Sequence, residues 1–135
     1  LLYLLIVTIV SKILIIEDEE SLQQALVNKF QSNGHKTLVA SNGKQGLELA
    51  LTEIPDLVLL DILMPEMTGS EMLTKLRESG EWGAHAKVIV LTNLDPDSEM
   101  LKQMTINSPS YYILKADISL DEVVQKANEI LTQVK

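Results

Sequence analysis

The sequence contains no cysteine, which excludes disulfide bridges, thiolate metal sites and a thiol nucleophile. Basic residues are also scarce, because 11 Lys and Arg stand against 19 Asp and Glu, for a formal net charge of −8. A chain with that charge is repelled by nucleic-acid phosphates and by anionic membrane surfaces. We therefore expect no direct nucleic-acid binding by this chain. The lack of cysteine also fits a reducing compartment and favours a cytoplasmic protein.

A long apolar run is missing as well. The most apolar segment, residues 1–10 with the sequence LLYLLIVTIV, is shorter than the roughly 20 residues that a membrane-crossing helix needs. It also lacks the flanking basic and small residues of a signal peptide. We expect no membrane span. We predict one domain over residues 11–135, preceded by an apolar N-terminal extension over residues 1–10 that packs on this domain or on a neighbour.

From Lys12 onward, short apolar runs alternate with longer amphipathic stretches. The short runs are rich in Ile, Val and Leu, as expected of parallel strands that are covered on both faces. Three runs are nearly continuous and predict central strands, at Lys12 to Ile16, Asp56 to Leu60 and Lys87 to Leu91. Two more mixed runs predict strands nearer the sheet edges, at Lys36 to Ala40 and Tyr111 to Leu114.

Helical patterns separate the predicted strands. Their apolar residues recur at three- and four-residue spacing, and a capping box at Ser119 to Glu122 marks the start of the last helix. The other predicted helices are Ser21 to Gln31, Asn42 to Thr52, Thr68 to Glu78 and Asp97 to Ile106. Five strands alternating with five helices predict an α/β fold with right-handed crossovers. Its doubly wound parallel sheet would lie between two layers of helices.

Charged and polar residues follow the predicted strands. Glu17 and Asp18 come after the first strand, Asp61 after the third, Thr92 after the fourth and Lys115 after the fifth. Each has an ordinary explanation by itself, since acids at a helix start, for example, complement the helix dipole. Ligands of open parallel sheets, however, bind outside the carboxyl ends of the strands. The combination therefore predicts one shared site.

The loop after the first strand indicates a metal rather than a nucleotide. A flavin or dinucleotide site would need glycines there, so that backbone amides could approach phosphate. This loop instead consists of carboxylates, from Glu17 to Glu20. Carboxylates in such a place need a hard cation, and Mg²⁺ bound by one or two of them leaves room for a phosphate group.

These motifs, in this order, resemble the receiver domain of two-component response regulators, of the chemotaxis-regulator type. The resemblance runs from Lys12 to Val134 and is carried by KILIIEDEE, LLDILMPEMTG, VIVLTN and YYILKAD. The second motif, with Pro65 and Gly69 four and eight residues after Asp61, is highly specific. The resemblance implies a flavodoxin-like, three-layer fold whose five-stranded parallel sheet has the strand order 2-1-3-4-5.

The resemblance also implies a role for each site residue. Asp61 would be the phosphoacceptor, the Thr92 hydroxyl and the Lys115 ammonium would contact the phosphoryl group, and Tyr112 would be an aromatic switch. The implied ligands of Mg²⁺, or of Mn²⁺ in its place, are Glu17, Asp18, Asp61 and the backbone carbonyl of Leu63.

The implied function is a phosphorylation-activated switch in a two-component phosphorelay, rather than an enzyme. A sensor histidine kinase or a phosphotransfer protein would supply the phosphoryl group. The modified domain would then bind a downstream protein through the predicted helix of Asp97 to Ile106, the fifth strand and the last helix.

Some residues depart from the family pattern and leave alternatives open. Ala116 follows the lysine where the family usually has proline, and Asn93 stands where a small residue is usual. A receiver-like interaction module that is not phosphorylated is therefore one alternative. A haloacid-dehalogenase-like phosphatase is another, but that family needs a second Asp two residues after the nucleophile, where this chain has Leu63.

Three residues outside the motifs have ordinary interpretations. His35 and His85 are isolated beside polar loops, so we predict them at the surface. Trp82 is predicted to anchor a loop by packing.

Overall fold

The sheet can be followed in a computed structural model that describes residues 10–95, 97–99, 102, 109 and 111–132. Its five strands pair in parallel in the order β2-β1-β3-β4-β5. The α/β fold and the strand order are therefore confirmed. The strands are β1 (Lys12–Ile16), β2 (Lys36–Ala40), β3 (Leu57–Leu60), β4 (Val88–Thr92) and β5 (Tyr111–Leu114).

Apart from one short helix, the described helices begin and end within one or two residues of their predicted positions. The described helices are α1 (Glu20–Ser32), α2 (Gly43–Glu53), α3 (Gly69–Glu78), α4 (Glu81–His85) and α5 (Leu120–Leu131), and a 3-10 turn covers Lys115–Asp117. The predicted helix of Asp97 to Ile106 falls mostly outside the described residues. The predicted extension also falls outside them, apart from Val10. Among the helices that the structure describes, none combines the length and the apolar character needed to cross a bilayer.

Alternating strand residues build a core on each face of the sheet, as the period of two requires. Leu14, Val58 and Val90 belong to what we call the first core, which α2 and α3 cover with Ala50, Met72, Leu73 and Leu76. Ile15, Leu59 and Ile113 belong to the other core, which α1 and α5 cover with Leu26, Phe30, Val123, Val124, Ala127 and Ile130. The two cores make the three layers that were predicted.

Side-chain caps fix where several helices begin after the strands. The Asn42 side chain accepts a hydrogen bond from the Gln45 amide at 2.8 Å, and Thr68 Oγ1 accepts one from the Glu71 amide at 3.1 Å. Ser119 forms the predicted capping box at the start of α5. Each cap satisfies an amide that has no partner inside its helix.

The short helix α4 was not predicted. Its five residues, EWGAH, are too few to show an amphipathic period. A half-buried arginine holds the segment, because Arg77 Nη1 donates to the carbonyls of Gly83 and Ala86, each at 2.8 Å. Trp82 is partly buried against the first core, so it packs as predicted, but from a helix rather than a loop.

His35 is buried, so its prediction as a surface residue was wrong. Its Nδ1 atom accepts a hydrogen bond from the Ser11 amide at 3.2 Å, which assigns the ring proton to Nε2. Nε2 lies 2.8 Å from Asn128 Oδ1 and donates to it. The neutral ring therefore joins the residue before β1 to α5, and it also packs against Phe30.

Replacing a buried core leucine should destabilise the domain far more than replacing an exposed one. We expect Leu26→Ala, at a site that is 0% exposed, to lower the free energy of unfolding, by roughly 2–5 kcal/mol. The control Leu51→Ala, at a helical site that is 42% exposed, should change it by less than about 1 kcal/mol. Urea denaturation measures both. Equal shifts for the two variants would contradict the assigned cores.

Candidate functional site

Three carboxylates converge at the carboxyl ends of β1 and β3. Ile16 and Leu60 are register partners, so the next residues, Glu17 and Asp61, emerge side by side. The Asp61 amide donates to the Ile16 carbonyl at 3.0 Å, which continues the pairing by one residue. One oxygen each of Glu17, Asp18 and Asp61 lies within 4.8 Å of the others. Glu17 and Asp61 are buried, whereas Asp18 is exposed.

Lys115 reaches this acidic cluster from the 3-10 turn after β5. Its Nζ atom lies 2.7 Å from Glu17 Oε1 and donates a hydrogen bond to Asp61 Oδ2 at 3.2 Å. The Lys115 ammonium is thus the close partner of the buried Glu17 Oε1 atom. Buried carboxylates are paired with a cation in this way because an unpaired buried charge is costly.

The pKa values of Glu17 and Lys115 are set by their burial and by the neighbouring charges of the cluster. Burial raises the pKa of the Glu17 carboxyl, although Lys115 and a hydrogen bond from the Glu19 amide act in the opposite direction. Burial would lower the pKa of the Lys115 ammonium, but Glu17 and Asp61 outweigh it and the pKa is raised. Lys115 therefore stays charged at neutral pH. One ammonium among three carboxylates leaves an excess of negative charge, which favours a bound cation.

The backbone around Asp61 is held by α3. Asp61 Oδ1 accepts a hydrogen bond from the Ile62 amide at 2.8 Å, and the Gly69 amide donates to the Ile62 carbonyl at 2.7 Å. A Cβ atom on Gly69 would lie only 2.0 Å from the Asp61 carbonyl oxygen. Glycine eight residues after Asp61 therefore lets the helix approach the strand end without a side chain between them.

The intervening loop turns back sharply at Glu66. The Met67 amide donates to the Pro65 carbonyl at 2.9 Å across Glu66, whose φ is 66°. The Gly43 amide donates in turn to the Met67 carbonyl at 3.1 Å, which fastens the loop to the start of α2. Leu63, the predicted carbonyl ligand, lies in this loop with its side chain 52% exposed.

Thr92 and Tyr112 lie on β4 and β5, the two strands that follow β3 in the sheet. Thr92 is buried at the end of β4, and its Oγ1 atom accepts a hydrogen bond from the Leu94 amide at 3.1 Å. Tyr112 is the register partner of Val90, and its ring packs against the first core together with Leu94. The Tyr112 hydroxyl is buried and has no hydrogen-bond partner among the described residues.

Gln23 supports the acidic loop and was not predicted. Its Nε2 atom donates to the carbonyl of Glu17 at 2.9 Å and to that of Ala40 at 3.2 Å. The amide group therefore ties α1 to the loops after β1 and β2. A glutamine near the start of an amphipathic helix is common, so nothing in the sequence singled it out.

The fold and this cluster define an α/β domain with an acidic site at the topological switch point of its sheet. The family model of the response regulator receiver domain matches residues 13–128. That range covers most of the chain and includes every predicted site residue. The chain therefore belongs to the response regulator receiver domain family.

Individual relatives agree with this assignment. Response regulator MprA of Mycolicibacterium vanbaalenii is 28% identical over 120 residues, which are 89% of this chain and 50% of the relative. The chain thus spans about half the length of the curated relatives that it matches. The receiver domain of Francisella response regulator 1452 is 30% identical, with a TM-score of 0.80 over 93% of this chain and 99% of that one.

A receiver domain described in a BeF3-activated state is also similar. The N-terminal receiver domain of Klebsiella pneumoniae RstA is 27% identical, with a TM-score of 0.77 over 90% of this chain and 99% of that one. Members of the family are signalling switches of two-component systems rather than conventional enzymes. The family binds Mg²⁺ at an acidic pocket, and this chain has the matching cluster of Glu17, Asp18 and Asp61.

A methyl group on residue 69 should displace the backbone of Asp61. We expect Gly69→Ala to lower the free energy of unfolding by roughly 1–3 kcal/mol, as overpacking does, and to shift the amide NMR signals of Asp61 and Ile62. Ser70→Ala, one residue further along α3, is the control and should leave those signals close to their original positions. If Gly69→Ala leaves both the stability and the signals unchanged, the close approach of α3 is wrong.

Proposed function

We propose that the chain is a phosphorylation-activated switch in which Asp61 accepts a phosphoryl group from a histidine kinase or a phosphotransfer protein. The observation that carries the proposal is the buried Asp61 carboxylate, hydrogen-bonded to Lys115 beside two further carboxylates. A carboxylate oxygen of Asp61 attacks phosphorus as the bond from phosphorus to the donor imidazole nitrogen breaks. The imidazole leaves with the electron pair of that bond and takes up a proton.

A divalent cation, Mg²⁺ or Mn²⁺, would be held by Glu17, Asp18, Asp61 and the Leu63 carbonyl. The spacing of the three carboxylates supports this ligand set, and so does their excess of negative charge over the single Lys115 ammonium. When bound, the cation neutralises charge on the phosphoryl oxygens. Lys115 adds an ammonium on the Asp61 side, so that the attacking carboxylate and the anionic phosphoryl group can approach.

Phosphorylation would act on Thr92 and Tyr112 through a change of charge and hydrogen bonding. It adds about one negative charge and new acceptor oxygens to the site. The Thr92 hydroxyl accepts from the Leu94 amide but retains its own proton, which it can donate to a phosphoryl oxygen. A shift of the segment from Thr92 to Leu94 would alter the packing around Tyr112, whose buried hydroxyl lacks a hydrogen-bond partner among the described residues. The result is a shift between two packed states.

The downstream protein would bind the surface formed by β5, α5 and the predicted helix of Asp97 to Ile106. Tyr111 on β5 is exposed, and Lys126 of α5 lies 4.4 Å from the centre of its ring. Exposed tyrosines are enriched at protein interfaces, and the ammonium of Lys126 makes a cation–π contact with this ring. The exposed ring and its contact support the proposal that β5 and α5 form the binding surface. The predicted helix of Asp97 to Ile106 falls mostly outside the described residues.

Ala116 is the main reason to consider a receiver that is not phosphorylated. The Lys115–Ala116 peptide is trans, since no cis bond occurs in the part of the chain that the structure describes. Even so, the 3-10 turn of Lys115–Asp117 brings the lysine to Asp61. The contact that phosphorylation needs is therefore compatible with alanine at this position, which favours the phosphorylated switch over the interaction module.

Acetyl phosphate should modify the chain only when Mg²⁺ or Mn²⁺ is present, because the acidic loop otherwise repels the phosphate donor. Intact-mass spectrometry should show the addition of one phosphoryl group. Asp61→Asn should abolish it, while the control Asp121→Asn, at an exposed position on α5, should not. Modification that persists in Asp61→Asn, or that survives chelation of the metal, would overturn the assignment.

The phosphorylated state should be long-lived because two leucines flank the path of a hydrolytic water. Leu63 and Leu94 lie two residues after Asp61 and Thr92 and offer no acceptor to orient that water. Leu94 also packs against the first core, so replacing it would affect stability as well. Leu63 is more exposed and is therefore the better residue to substitute. We expect Leu63→Asn to speed dephosphorylation roughly tenfold, about 1.4 kcal/mol in the barrier.

The control for this measurement is Leu51→Asn, which changes an exposed leucine on α2. Its dephosphorylation rate, followed by the decay of the phosphorylated mass, should equal that of the parent chain. The shielding hypothesis is wrong if the parent chain already loses its phosphoryl group as fast as Leu63→Asn does.

A further inference from the structure

The side-chain amide of Gln23 contacts the acidic loop through the backbone of the loop and not through its carboxylates. Nε2 donates to the Glu17 carbonyl at 2.9 Å and to the Ala40 carbonyl at 3.2 Å, with a longer contact of 3.4 Å to Ser41 Oγ. A carbonyl oxygen can only accept, so the group that faces both of them is the NH₂ with its two donors. The Gln23 backbone is held in turn, because its amide donates to the Glu19 carbonyl at 2.9 Å at the start of α1.

These bonds fix both peptide groups that flank the Cα atom of Glu17. The Glu17 amide donates to the Ala40 carbonyl at 3.0 Å, which extends the pairing of β1 with β2 by one residue. The Glu17 carbonyl belongs to the next peptide group, which is shared with Asp18, and Gln23 holds that one. Because each peptide group is planar, fixing the two planes sets the direction of the Glu17 side chain. The second plane also sets the direction in which the backbone continues through Asp18.

The same amide connects the acidic loop to the loop of Leu63. Ala40 is the last residue of β2, and Gly43 begins α2 shortly after it. The Gly43 amide donates to the carbonyl of Met67, which lies in the loop that carries the Leu63 carbonyl. Gln23 therefore links, through β2 and the start of α2, the two backbone segments from which metal ligands are predicted.

We propose that Gln23 is a positioning residue of the metal site. It holds Glu17 and Asp18 at the spacing that Mg²⁺ requires, without contacting the ion. The inference rests on the proposed function, because it concerns the same three carboxylates, whose oxygens lie within 4.8 Å of one another. Mg²⁺ demands a nearly ideal octahedral geometry, whereas Ca²⁺ accepts a range of ligand positions. A fixed backbone therefore matters more for binding Mg²⁺ than for binding Ca²⁺.

NMR titrations with Mg²⁺ and with Ca²⁺, followed through the amide signals of Asp61 and Ile62, test this role. The variant Gln23→Met keeps an unbranched side chain with a good helix propensity but removes both donors. We expect its affinity for Mg²⁺ to fall by roughly 10–100-fold, as is typical when a residue that orients a metal ligand is lost. Its affinity for Ca²⁺ should fall by a smaller factor.

The matched control is Gln24→Met, the same substitution at the next residue of α1. Gln24 is exposed, and its side chain donates to Asn28 Oδ1 on the helix surface at 2.9 Å. Both cation affinities should therefore equal those of the parent chain. Equal Mg²⁺ affinities in the two methionine variants would overturn the proposal. An equal loss of Mg²⁺ and Ca²⁺ affinity in Gln23→Met would also overturn it, since lost spacing affects Mg²⁺ more.

A second variant, Gln23→Glu, separates positioning from charge. It replaces the donors with acceptors and adds a negative charge near the site. Positioning predicts weaker Mg²⁺ binding than in the parent chain, whereas attraction by charge alone predicts tighter binding, which would contradict the proposal. The dispersion of the amide signals shows that each variant is folded. A parent chain that binds neither cation would refute the metal site of the proposed function itself, so the two failures are distinguishable.

Discussion

Repulsion between two buried carboxylates is the constraint on which this site depends. Glu17 and Asp61 follow paired strands and are both largely removed from water. Their carboxylate oxygens lie within 4.8 Å of each other. Like charges that close destabilise each other strongly where the local dielectric is low. The surrounding contacts compensate for this repulsion, since the Lys115 ammonium approaches both carboxylates and the amides of Glu19 and Ile62 each donate to one of them. The remaining excess charge makes the site receptive to a cation.

The rest of the fold keeps these groups from moving apart. Continuous apolar strands are covered on both faces, so the ends of β1 and β3 cannot separate without exposing a core. Gln23 fastens the acidic loop to α1, while Gly69 allows α3 to contact the backbone of Asp61. A site made of mutually repelling groups thus needs a rigid scaffold, and hydrophobic burial supplies it.

The strands, most of the helices and the cluster of Asp61, Glu17 and Lys115 could be predicted because their signals are local. A strand covered on both faces is continuously apolar, and residues after parallel strands meet at one edge whatever the loops do. The prediction failed where a side chain's surroundings come from distant segments. His35 is buried only because Ser11 and Asn128 meet there. The helix α4 depends on Arg77, which donates to carbonyls that follow it in the chain.

The contact between Gly69 and the backbone of Asp61 has a thermodynamic consequence. Gly69 places no side chain between the start of α3 and the backbone of Asp61, so a displacement of Asp61 would be passed on to the helix. Any ligand that stabilises one position of Asp61 therefore also selects a position of α3. Such coupling is reciprocal. If a ligand at the acidic cluster changes the affinity of α3 for a partner protein, that partner changes the affinity of the cluster for the ligand by the same factor. Binding at α3 and binding at the acidic cluster are thus thermodynamically coupled, and the coupling free energy is the same in both directions.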